Sequence, residues 1–171
     1  MAVLILLLAL SPAAAQADAL TRDELKIKAG LLYNYLKYTT WPPRETEAAY
    51  LNVCLYGGDP FRGQLQSLDG RTAQQYTIRL LHAKTLNDIK ACDALFIDAA
   101  AEKNLPDIFA VTHGQGVLTM SDIENFALRG GMVGFSMQGK HIHVVVNKSV
   151  AEKDGIHIQP SMLKMGEVVN Q

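Results

Sequence analysis

The stretch Leu51-Asn52-Val53-Cys54-Leu55-Tyr56-Gly57-Gly58-Asp59-Pro60 decides the fold class. Six residues that are apolar but for Asn52 make a strand too continuous for a half-solvated sheet, and continuous runs of this kind belong to buried parallel strands. Gly57-Gly58 ends the strand in a tight turn. Asp59 is an N-cap residue and Pro60 suits the first helical position, so the stretch predicts strand, loop, then a helix reaching about Leu68.

The same alternation continues outward. Toward the N-terminus, Thr21-x-x-Glu24 is a capping box, and Leu25, Ala29, Leu32 and Leu36 follow on one face of a helix to about Thr39, stopped by Trp41-Pro42-Pro43. Toward the C-terminus, strands are expected at 76–81, 94–98 and 116–120. They are followed by a polar helix start at 85–88, a helix at 100–111 that Pro106 interrupts or restarts, and a short helix at 123–128 capped by Ser121-Asp122. After Gly130-Gly131 the pattern changes to two β-rich runs, 132–137 and 142–146, joined by Gln138-Gly139-Lys140-His141 as a hairpin. Two closing helices are expected at 149–153 and 161–169. Together these predict an α/β protein, a three-layer α/β/α sandwich whose mostly parallel sheet ends in a C-terminal antiparallel hairpin at one edge.

The chain has 171 residues, 49% hydrophobic and 19% charged, with 16 basic against 17 acidic side chains and a net charge of −1. This fits one domain with a core of its own. The charge balance argues against a nucleic-acid partner, which calls for an excess of Lys and Arg. Residues 3–10 are an unbroken apolar run, followed by Ser11-Pro12 and Ala13-Ala14-Ala15-Gln16-Ala17. The run is too short to span a membrane, and Ala15-x-Ala17 fits a signal-peptidase site, so residues 1–17 are expected to be a cleaved signal peptide and 18–171 a single soluble, exported domain without direct membrane insertion.

Export sets how the two cysteines are read. An even count in an oxidising compartment favours a disulfide between Cys54 and Cys92, the alternative being two buried free thiols. The sequence contains no G-x-x-x-x-G-K-[ST], G-x-G-x-x-G, H-E-x-x-H or G-x-S-x-G motif; Gly134-Phe135-Ser136-Met137-Gln138 lacks the second Gly. No catalytic residue and no cofactor is therefore expected. His141 and His143 share a strand face, with His157 a candidate third ligand, but no Asp, Glu or Cys stands at ligand spacing, and no metal is expected. Gly57-Gly58 either offers N–H groups to an anion or is simply a tight strand-to-helix turn, the second being the better reading.

Several segments resemble the YfiR family. They are Lys28-Ala29-Gly30-Leu31-Leu32-Tyr33-Asn34-Tyr35-Leu36-Lys37-Tyr38-Thr39-Thr40-Trp41-Pro42, Val53-Cys54-Leu55-Tyr56-Gly57-Gly58-Asp59-Pro60-Phe61, Cys92-Asp93-Ala94-Leu95-Phe96-Ile97, Val117-Leu118-Thr119-Met120-Ser121-Asp122, Phe126-Ala127 with Gly130-Gly131-Met132, and Val146-Asn147-x-x-Val150-Ala151 with Ile158 and Leu163. The resemblance implies a periplasmic, homodimeric, non-enzymatic repressor that binds the periplasmic part of an inner-membrane diguanylate cyclase, and that an outer-membrane lipoprotein sequesters, linking envelope or redox stress to cyclic-di-GMP and biofilm formation. It also implies partner contacts on the hairpin and the helix after it, around Met132, Val133, Val145 and Ala151. The same apolar residues are equally read as core, at least half of them. The chain departs from the family in lacking a second cysteine pair around residues 127–134, and in carrying Asn147 where an acidic residue is common. A second functional class, a periplasmic small-ligand receptor, would use the loops at the carboxyl ends of the parallel strands, including Gly57-Gly58 and Asp98.

Overall fold

The computed structural model describes residues 12–43, 49–138 and 141–170, with side chains from residue 22 onward. Its elements in chain order are α1 (Pro12–Lys37), β1 (Thr39–Thr40), β2 (Tyr50–Tyr56), β3 (Thr72–Ala73), β4 (Tyr76–Ala83), α2 (Leu86–Ile89), β5 (Ala94–Ile97), α3 (Leu105–Thr112), β6 (Leu118–Ser121), β7 (Val133–Gln138), β8 (His141–Asn147), α4 (Lys148–Lys153), β9 (His157–Ile158), α5 (Pro160–Leu163) and β10 (Glu167–Val169). Among the described residues no helix is long and apolar enough to cross a membrane. Residues 1–11 of the expected export segment lie outside the described residues, as do the side chains around the expected cleavage point.

Eight strands form one sheet in the order β10-β8-β7-β6-β5-β2-β4-β3. The run from β4 through β2, β5 and β6 to β7 is parallel throughout, with Val53 opposite both Leu80 and Ala94. Alternation along these strands feeds two separate cores, because successive side chains leave opposite faces of a strand. Leu51, Val53, Leu55, Phe96, Met120 and Phe135 pack on the α1 side. Cys54, Tyr56, Leu95 and Ile97 pack against Ile89 of α2 and Leu105 and Ile108 of α3 on the other. The mostly parallel sheet with a core on each face is the α/β arrangement expected. Cys54 of β2 and Cys92, just before β5, are joined in a disulfide with Cα atoms 5.9 Å apart.

The departures from expectation have local causes. The expected helix at 60–68 is a turn followed by a 3₁₀ segment, Gln64–Leu68. Asp59 is the reason: its carboxylate accepts from the N–H groups of Phe61 (2.9 Å) and Gly63 (2.7 Å), closing a turn in place of an α-helical start. α1 runs through Thr21 and is described from Pro12 on, so Thr21 is not the cap of its first turn. Pro106 restarts rather than ends a helix, with 3₁₀ turns over Ala99–Asn104 leading into α3.

The largest correction is at the C-terminus. The expected helix at 161–169 is the single turn α5, after which β10 pairs parallel to β8, with Glu167 opposite Val145. Gly166 permits this, since a Cβ there would lie 2.5 Å from the Val144 carbonyl oxygen. The hairpin β7–β8 is antiparallel as expected, but β10 covers its outer strand, so the hairpin is not the sheet edge. A two-stranded sheet, β1 with β9, was not legible in the pattern.

Candidate functional site

Strands β7 and β8 pair Val133 with Val146, Phe135 with Val144 and Met137 with Ile142, and this set faces α1 and the core. The intervening pairs, Gly134 with Val145, Ser136 with His143 and Gln138 with His141, necessarily face the other way. That second face is where α2 and α3 cover the middle of the sheet. Over β7, β8 and β10 no helix among the described residues takes their place, because β7 returns directly into β8 through a hairpin and β6 reaches β7 through only a 3₁₀ turn, Phe126–Arg129.

The result is an open groove of about 470 Å³, with Gly134, Ser136, His143, Val145 and Glu167 among the residues of its floor and residues 123–128 as its wall. Leu128 (45% exposed) supplies apolar surface at its rim. Glu124 and Glu167 make the rim acidic, and the His143 imidazole lies 3.7 Å from the Glu167 carboxylate.

Specific bonds hold the wall in place. The Ser121 hydroxyl donates to the Ile97 carbonyl (2.7 Å) and accepts from the Ile123 N–H (3.0 Å). Buried Asn147 caps α4 by accepting from the Val150 N–H (3.2 Å), and its amide donates to the Ala127 carbonyl (2.8 Å), tying the wall to the end of β8. Gly131 leaves room for the Phe126 ring, which a Cβ at that position would meet at 2.1 Å. Behind the wall, Phe126 packs on Phe109 with ring centres 5.8 Å apart, and Arg129 pairs with Glu102 at 2.5 Å. At its start, Asp122 accepts from the Lys28 ammonium of α1 (3.2 Å), which also pairs with Glu24 (2.7 Å). Burial pushes the Lys28 pKa down, but the two carboxylates outweigh it and the ammonium is held above its ordinary value.

The structure separates the four residues of the expected partner surface. Val145 lies in the groove floor, half-buried, whereas Met132, Val133 and Ala151 are core side chains. The groove's accessible side chains, Leu128, Ser136 and His143, were missed. Period-two alternation from Val133 would have found Ser136, and His143 follows from its pairing. His141 and His143 share a face, while His157 stands on β9 in the small sheet. Among the described residues no group of three or more His, Cys, Asp or Glu is placed to hold a metal ion.

A second concavity, of about 480 Å³, opens at the carboxyl ends of β4 and β2 and the segment after β5, with Gly57, Gly58, His82, Lys84 and Asn104 among its lining.

A family model described as YfiR/HmsC-like matches residues 25–167. No curated protein matches the sequence. Two solved structures share the fold at low identity. A conserved domain protein from Vibrio cholerae O1 biovar El Tor gives a TM-score of 0.53 at 11% identity, over 84% of this chain and 59% of that one. The ABC domain in complex with L-Trp from Streptococcus pneumonia gives 0.51 at 15% identity, over 70% of this chain and 55% of that one. The chain thus spans less than two thirds of each.

Proposed function

We propose, from the premise that this chain belongs to the YfiR/HmsC-like family, that it is a periplasmic, non-enzymatic regulator that binds the periplasmic part of an inner-membrane diguanylate cyclase and represses it. The family match over residues 25–167 carries the reading, since it embraces both cores and the groove. Through the cyclase the protein would lower cyclic-di-GMP and restrain biofilm formation. Homodimerisation and sequestration by an outer-membrane lipoprotein belong to the same reading, as does export after cleavage between Ala17 and Asp18. The disulfide fits an oxidising compartment.

The partner surface in this reading is the groove over β7, β8 and β10. A sheet face in an α/β protein is ordinarily covered by a helix. Here the described residues supply none, so an amphipathic helix of the cyclase would complete the layer, its apolar side on Val145 and Leu128 and basic residues toward Glu124 and Glu167.

Leu128→Glu and Ser136→Glu test this. Both side chains are exposed, so folding is retained by circular dichroism. A central apolar contact is worth ~1–2 kcal/mol, so calorimetry against the cyclase's periplasmic domain should show each variant bound at least about tenfold more weakly. Unchanged affinity in both variants would place the surface elsewhere. A wild-type protein without affinity for any such domain from its own cell would end the regulatory reading itself. Val133→Glu cannot serve, because that side chain has no exposure and a charge there would unfold the protein.

A further inference from the structure

The order β4-β2-β5-β6-β7 has a physical consequence at one place. The chain leaves β2 for β4 on one side, then crosses back to β5 on the other and continues outward to β6 and β7. Connections diverging from neighbouring parallel strands leave a crevice at the carboxyl ends of those strands, which is where open α/β sheets take ligands. In this protein the crevice is formed: a cavity of about 480 Å³ bounded by Leu55, Tyr56, Gly57 and Gly58 from the end of β2, His82 to Lys84 from the end of β4, and Ala100, Ala101 and Asn104 after β5. That is within the usual size of a small-molecule site.

The chemistry of the lining is one-sided. Lys84 and His82 are basic, and no carboxylate is among the lining residues. Asp88, the acidic group that interacts with Lys84, is occupied by the N–H groups of Lys84 (2.9 Å) and Thr85 (2.8 Å). Asp98 lies outside the lining but close to Gly58, its carboxylate 3.5 Å from where a Gly58 Cβ would stand, and one of its oxygens accepts from the Ala100 N–H at 2.7 Å.

Polar groups stand in the same lining: Tyr56, His82 and Asn104, with Gly58 at the turn that follows β2. Asn104 precedes α3 without capping it. Gly57 has φ +94°, and a Cβ there would meet the Ala101 Cβ at 2.8 Å, so the loop folds back against the far wall in a way that a side chain would block. The Leu55, Ala100 and Ala101 side chains give the remainder of the cavity an apolar character.

We propose that this crevice is a binding site for a small organic anion, a carboxylate or phosphate monoester with an apolar body, whose charged end lies between Lys84 and His82 beside Gly58. The site is distinct from the partner groove and does not depend on the regulatory reading.

The test titrates the purified protein with phenyl phosphate, phenylacetate and, as a cationic counterpart, benzylamine, following backbone amides by NMR. One or both anions should move the Gly57, Gly58 and Lys84 amides, and the one that binds tells phosphate from carboxylate; benzylamine should move none of them. Lys84→Gln removes an exposed charge and should weaken binding about threefold to fivefold. Asn104→Asp puts a carboxylate into the crevice at nearly constant shape and should weaken it at least as much. The proposal is overturned if neither anion moves those amides at about 10 mM, if benzylamine moves them equally, or if both variants bind as wild type does.

Discussion

Reducing the Cys54–Cys92 bridge removes a cross-link without removing an atom of the core, so its effect can be worked directly from chain statistics. The link closes a loop with a sequence separation of 38 residues between the central strand β2 and the start of β5. In the chain-entropy treatment, freeing a loop of that length returns about 13 cal/mol/K to the unfolded state, or ~4 kcal/mol at 25 °C. That is a large part of the ~5–15 kcal/mol that stabilises a typical domain. For a chain of this size, each kcal/mol moves the melting temperature by about 2–4 °C, so reduction should lower it by roughly 8–16 °C. Urea unfolding of oxidised and reduced protein checks the free energy, and the m-value should rise on reduction because the unfolded chain becomes less compact. The bridge sits away from the groove, so under conditions where the reduced protein remains folded its affinity for a groove ligand should not change. A difference below about 1 kcal/mol between the two forms would refute the reasoning. So would two thiols reacting with Ellman's reagent in unfolded, unreduced protein.

Three further outcomes are expected. Asn147→Asp keeps the acceptor for the Val150 N–H but sets a buried carboxylate against the Ala127 carbonyl, so denaturant unfolding should show a loss of ~1–3 kcal/mol. Gly131→Ala drives a methyl group into the buried Phe126 ring and should cost ~1–3 kcal/mol, with NMR shifts spreading through residues 123–128. The Tyr35 hydroxyl is buried without a partner, and Tyr35→Phe should be neutral or stabilise by up to ~1 kcal/mol in the same assay. Burial pushes the Tyr35 pKa up, so the folded state keeps a proton that the unfolded chain releases near pH ~10. Stability should therefore fall as pH rises past that value, and fall less in Tyr35→Phe. Lys28, also raised, contributes in the same direction: its stabilisation is present below its unfolded pKa and is lost as pH climbs through the folded one.

What the sequence revealed followed from how local each signal is. The strands 51–56, 94–98 and 132–137 are legible because burial on both faces or alternation leaves a pattern in the residues themselves, and the Thr85-to-Asp88 helix start shows as a complete capping box. The short segments were misread where a side chain overrides propensity. Asp59 redirects its own backbone into a turn, and Gly166 admits β10 beside Val144, where residues 161–169 alone read as helix. β1 and β9 are two residues each, too short for any periodicity, and exist only because tertiary contact brings Thr39 to Ile158. The partner surface was legible to the level of the hairpin but not of the residue. Which face of β7 is covered depends on α1 lying on one side and on the absence of a covering helix on the other, and neither fact is written in residues 132–146.

The groove and the crevice stand at different ends of the molecule's chemistry, yet one segment serves both. Residues 99–104 wall the crevice through Ala100, Ala101 and Asn104, and continue into α3. The segment reaches the groove wall through the Glu102–Arg129 pair, and α3 and the residue after it through the Phe109–Phe126 ring contact and the His113 ring against the Gly130 carbonyl at 3.0 Å. An exposed ion pair is worth at most ~1 kcal/mol, so it alone couples the two by no more than about fivefold. The packed contact of Phe109 with Phe126 is the stronger link, since Phe126 is fully buried and its wall cannot shift without disturbing α3. Linkage then makes a demand that is independent of mechanism: whatever factor an anion in the crevice applies to affinity in the groove, an occupant of the groove must apply to the anion. Measuring the two factors separately, with and without Arg129→Gln, determines whether the shared segment transmits anything, because unequal factors are thermodynamically impossible and equal factors of one mean that the sites are independent.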